Sequence, residues 1–106
     1  MKRGDLVTIA SSGDYGKPRP ALVVQADLYV LHPSVTVLPL TSDLIDAPSV
    51  RITVEPEAAN GLRRPSQVMV DKATTVPRGK IGQRIGSVDA TTLARVSRAL
   101  AAFLGM

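Results

Sequence analysis

The chain has 106 residues and a formal charge of +4, from 13 Lys+Arg against 9 Asp+Glu, with no cysteine and no tryptophan. That length suits one domain with a modest core, and the missing cysteines exclude disulfides, a thiolate nucleophile and a thiolate-held metal. A lone histidine, His32, excludes a His-pair metal site, and three aromatics (Tyr15, Tyr29, Phe103) are too few to grip a single strand mainly by base stacking. The basic balance favours a polyanionic partner. Behind Met1-Lys2-Arg3-Gly4-Asp5 there is no apolar stretch long enough for a signal peptide, and no run approaches the ~20 apolar residues that cross a bilayer. A cytoplasmic protein with no membrane partner is expected.

In chain order, short β-branched runs predict strands over residues 6–9, 21–25, 35–40, 50–54, 67–71 and 80–85, separated by Pro, Gly, Asn and Asp. Ahead of the second lies Gly16-Lys17-Pro18-Arg19-Pro20, a flexible segment that ends in a stiff one. Each proline fixes its own φ and pushes the preceding residue into extended backbone, so Arg19 is presented with few backbone options. A guanidinium held that way suits a phosphate. The loop over 11–17 is expected to be mobile. Ala21 to Val24 is apolar throughout, as in a central strand buried on both faces, whereas Val50-Arg51-Ile52-Thr53-Val54 alternates and predicts one wet face. Asn60-Gly61 marks a turn. After residue 88 the period changes: Asp89 is a good N-cap, and Leu93, Val96, Leu100, Phe103 and Leu104 share one face of a helix that Gly105 stops. Strands followed by one helix predict a small, strongly bent antiparallel sheet or partly open barrel closed by that helix.

Three polar clusters stand at strand ends, where a sheet fixes groups and leaves them open to solvent. They are Arg19 before the second strand, Thr41-Ser42-Asp43 after the third, and Asp71-Lys72 with Thr74-Thr75 after the fifth. Taken singly, the second also reads as a hydroxyl-rich turn and the third as a surface ion pair.

Gly4-Asp5, Lys17-Pro18-Arg19-Pro20-Ala21-Leu22-Val23-Val24, Pro39-Leu40-Thr41-Ser42 and Val68-Met69-Val70-Asp71-Lys72 with Thr75 occur in the order and at the spacing of the MazF/PemK toxins, which the chain resembles over residues 4–86. The resemblance implies one toxin domain over 1–106, of mainly β fold: a small SH3-like barrel of antiparallel strands with a C-terminal helix. It implies the toxin of a type II toxin–antitoxin pair, a homodimer that cuts single-stranded RNA without metal or cofactor. The 2′-hydroxyl attacks the adjacent phosphate and leaves a 2′,3′-cyclic phosphate and a 5′-hydroxyl. Arg19 then matches the family's active-site arginine, Thr41 its catalytic threonine, and Asp71 a carboxylate that PemK-type members place in the site. Arginine stays protonated at any working pH, so its role is electrostatic stabilisation, with Thr41 orienting the phosphate. Lys17, Ser42, Arg63, Arg64, Lys72, Arg78, Lys80 and Arg84 are candidates for holding the RNA. The expected protein partner is a cognate antitoxin whose disordered acidic tail covers the basic groove.

Two departures bear on the proton transfers. PemK-type members carry an arginine two residues before the aspartate, where Met69 stands, and residues 11–17 lack the histidine some members have there. Two other readings remain. The CcdB toxins, which poison DNA gyrase and cut nothing, are similar in the terminal Ala102-Phe103-Leu104-Gly105-Met106, although Leu104 replaces their tryptophan and Pro-Arg-Pro is foreign to them. A silent member that binds RNA or antitoxin is the other.

Overall fold

The structure is a computed structural model that describes residues 1–10 and 17–106, so the loop expected to be mobile lies, but for Lys17, outside the described residues. Among the described residues seven strands make one antiparallel sheet: β1 (Asp5–Ile9), β2 (Arg19–Val23), β3 (Ser34–Thr41), β4 (Arg51–Val54), β5 (Ser66–Met69), β6 (Thr74–Pro77) and β7 (Ile81–Ser87). The spatial order is β4-β5-β3-β2-β1-β7, with β6 also paired to β3. Helix α1 (Ala90–Phe103) ends the chain, and 3-10 turns occupy Asp27–Tyr29, Val70–Lys72 and Arg78–Lys80.

The strand period of two sorts the apolar residues into two cores. Leu6, Leu22, Leu38, Leu40, Ile52, Val68 and Val70 pack with Val96 of α1, while Val7, Ile9, Ala21, Val23, Val35 and Val37 pack on the opposite face. Strand β2 contributes to both, as its unbroken apolar run predicts. Each fully buried Leu or Val stabilises the fold by about 1.5–3 kcal/mol relative to an exposed one. The sheet bends without closing: β4, β6 and β7 remain its edges, and α1 packs over β4 and the Val70–Lys72 turn.

Three details differ from the sequence expectation. The fifth strand stops at Met69 and turns through Val70–Lys72, and Thr74–Pro77 then form β6, which pairs Ser34–Val37 of β3. Strand β6 is short and exposed, with only Val76 against a core, so no apolar alternation announced it. At the other end of the chain, Val96 alone of the helix is fully buried. Phe103 and Leu104, at the last residue of α1 and its C-cap, are 51% and 55% exposed.

Asp89 does cap α1, accepting the Thr92 N–H at 2.7 Å. The Thr92 side chain, and then its backbone N–H, hold the carboxyl below its ordinary value of 3.8. A depressed folded value means that the cap stabilises above the unfolded Asp range and that this contribution is lost as pH falls through the folded value. Asp89→Ala should therefore lower the melting temperature near neutral pH by a few degrees, and the gap should narrow in acid. Thermal denaturation of both proteins between pH 7 and pH 3 checks this, and a gap that widens in acid would contradict it.

Candidate functional site

Strand register builds the site. Ile9 pairs Arg19 and Ala21 pairs Pro39, so the β2–β3 register, continued two residues, sets Arg19 abreast of Thr41. Both line an open groove of about 590 Å³. Ser42 follows Thr41 along one wall. The opposite wall is the β4–β5 loop, which brings in Leu62, Arg63 and Arg64, and apolar atoms of Leu40 and Ile85 line the groove between them. Pro39 lacks a donor and sits in the interval where β3 changes partner from β6 to β5, so no ladder bond is wasted there.

Both walls are held by buried side-chain amides. Asn60, 3% exposed, accepts the N–H groups of Glu57 and Leu62 on Oδ1, each at 3.0 Å, and donates Nδ2 to the Glu55 carbonyl at 2.8 Å. Gly61 then takes φ +70°, and a Cβ there would lie 2.1 Å from the Ile85 carbonyl oxygen, so only glycine lets the loop approach β7 this closely. On the other wall the Gln67 carboxamide holds both backbone groups of Ile45. Thr41 Oγ1 accepts the Asp43 N–H at 3.1 Å, which leaves its own proton to donate.

The groove thus carries three guanidinium groups and four hydroxyl side chains, those of Thr8, Thr41, Ser42 and Ser66, and among the described residues no carboxylate lines it. An arrangement of that kind attracts and polarises a phosphodiester.

Of the expected site residues, the groove gathers Arg19, Thr41, Ser42, Arg63 and Arg64. The others stand elsewhere. Thr41 pairs Gln67 in the antiparallel β3–β5 ladder, whereas Asp71 lies past the end of β5 in the Val70–Lys72 turn and does not line the groove. Its Oδ2 meets Arg51 Nη2 at 3.4 Å. Arg51 is the cross-strand partner of Met69, so a guanidinium reaches Asp71 from β4 although Met69 supplies none. Sequence reading missed Arg51 because its alternation marked it as merely solvent-facing. Lys72 follows on the same turn, and Lys80 ends the 3-10 turn before β7. Arg78 donates to the Val30 and His32 carbonyls and thereby fastens the segment before β3. Arg84 Nε lies 3.2 Å from Asp5 Oδ1, and Lys17 is exposed ahead of the groove.

The comparisons with known proteins agree on one family. A family model described as "PemK-like, MazF-like toxin of type II toxin-antitoxin system" matches residues 2–104. The chain is 48% identical over 107 residues to a probable endoribonuclease MazF of Mycolicibacterium smegmatis, covering all of this chain and 98% of that one. Among solved structures it is similar to the Mycobacterium tuberculosis toxin MazF-mt6, with TM-score 0.79 and 27% identity over 95% of this chain and 97% of that one. It is also similar to a chain of the MazE-MazF crystal structure from Deinococcus radiodurans, with TM-score 0.80 and 27% identity over 100% and 96% of the two chains.

Proposed function

The chain belongs to the PemK-like, MazF-like toxins of type II toxin–antitoxin systems, and from that premise we propose that its groove binds single-stranded RNA with the scissile phosphate between Arg19 and Thr41. The protein is an endoribonuclease toxin. In the proposed reaction the 2′-oxygen bonds to phosphorus as the P–O5′ bond breaks, and the 2′-hydroxyl proton is lost while the leaving oxygen gains one. The products are a 2′,3′-cyclic phosphate and a 5′-hydroxyl. Charge builds on the phosphoryl oxygens, where the Arg19 fork and the Thr41 hydroxyl proton can meet it. Asp71, held by Arg51 away from the groove, is assigned no proton transfer with the phosphate of this groove. The observation that carries the reading is the convergence of Arg19, Arg63, Arg64 and the Thr41 hydroxyl on one groove.

Arg63 and Arg64 are assigned to the RNA backbone. Each phosphate contact on a single strand contributes about 0.7 to the slope of log affinity against log salt. Arg63→Ala and Arg64→Ala should each weaken binding and flatten that slope by about this amount, read by fluorescence anisotropy between 50 and 200 mM salt as in ordinary practice. Unchanged slopes in both variants would remove them from the RNA path.

The same positive groove suits the acidic, extended tail of an antitoxin, and the toxin is assigned such a partner and a homodimeric state. The direct test of function incubates a labelled messenger RNA with the protein in EDTA. Discrete fragments ending in a cyclic phosphate support a metal-independent ribonuclease, whereas an intact RNA in EDTA, cut only when a divalent cation is restored, would overturn it.

A further inference from the structure

We infer that Gln67 is a positioning residue for cleavage: its buried carboxamide holds the segment leaving β3 and so aims the Thr41 hydroxyl at the scissile phosphate. The inference rests on the reading that Thr41 faces that phosphate. Gln67 is 5% exposed and is the cross-strand partner of Thr41. Its Oε1 accepts the Ile45 N–H at 3.1 Å, and its Nε2 donates to the Ile45 carbonyl at 2.9 Å and to Thr53 Oγ1 at 3.2 Å. Holding both backbone groups of one residue copies what a neighbouring strand does, at a point where the chain has left the sheet.

Apolar burial does not tether this segment, since Leu44 and Ile45 are 50% and 53% exposed. The segment instead spans two polar anchors four residues apart in sequence: Thr41 Oγ1, which accepts the Asp43 N–H, and the amide of Gln67 on Ile45. Slack at the second anchor is passed to the first, because the hydroxyl that accepts from Asp43 is the one that must donate to the substrate. A buried polar side chain on a core strand costs stability unless its hydrogen bonds are made, and here the carboxamide bonds to Ile45 of this wall and to Thr53 of β4.

The test combines exchange and kinetics. In the wild-type protein the Ile45 amide should exchange with deuterium at least about tenfold more slowly than those of Leu44 and Asp46, and equal rates would overturn the inference. Gln67→Met and Gln67→Glu should lower kcat on messenger RNA about 10–100-fold. KM, and the affinity for a 2′-O-methylated copy of a cleaved fragment, should stay within about threefold. Assays are run well below each variant's melting temperature, so loss of folded protein does not enter. Placed on Thr41→Val, Gln67→Met should add little further loss, because the two act through one group. A full additional loss there, or wild-type kcat in Gln67→Met beside an inactive Thr41→Val, would overturn the role of Gln67 and leave the site intact. Wild-type cleavage by Thr41→Val would instead overturn the site reading itself.

Discussion

Replacing Arg19 by alanine is expected to slow RNA cleavage about 10²–10³-fold, the usual effect of removing one donor that faces developing charge. The side chain is exposed at the first residue of β2, with no part in either core, so the melting temperature should hardly change. Lysine keeps the charge but not the planar fork, so Arg19→Lys should recover only a fraction of the rate. If the guanidinium acts on the transition state, kcat falls with kcat/KM, whereas a rise in KM alone would assign it to ground-state binding. Initial rates over a range of messenger concentrations, with circular dichroism of both variants, decide between these. A folded Arg19→Ala protein that cuts at the wild-type rate would end the assignment.

Asn60→Ala should have the largest effect on stability of any polar substitution near the groove. Deleting the carboxamide leaves the N–H groups of Glu57 and Leu62 and the carbonyl of Glu55 without their partner. Each buried group left unmade costs about 1–3 kcal/mol, and water reaching the loosened loop recovers part of the total, so a net loss of about 2–4 kcal/mol is expected. The consequence reaches function, because the loop that Asn60 closes carries Arg63 and Arg64 and packs Ala59 against Ser87 of β7. Urea denaturation of the variant measures the stability, and RNA affinity at low temperature, where it remains folded, should fall while the Arg19 and Thr41 geometry persists. A midpoint equal to the wild type would show that the loop is held by its other contacts.

The two residues illustrate different degrees of legibility in the sequence. Arg19 announces itself, because flanking prolines restrict the backbone locally and the Arg-Pro motif needs no partner to be seen. Thr41 and Ser42 were legible as the polar end of an apolar strand. Asn60 was visible only as half of a turn signal, since its three hydrogen bonds depend on how the loop folds back on itself. Arg63 and Arg64 entered among eight RNA-holding candidates, and nothing local separated them from Arg78, which serves carbonyls, or from Arg84, which lies against Asp5.

The sequence by itself determined six of the seven strands and the helix that follows them, the two-faced burial of β2, the Asp89 cap and the family resemblance, because period, capping and turn chemistry act over a few residues. Only the tertiary structure decided which charges share a groove, that β6 adds an edge to β3, that Asp71 meets Arg51, and that Gln67 holds Ile45. Those outcomes depend on register between strands far apart in the chain. A shift of one residue in that register would turn each side chain to the other face of the sheet.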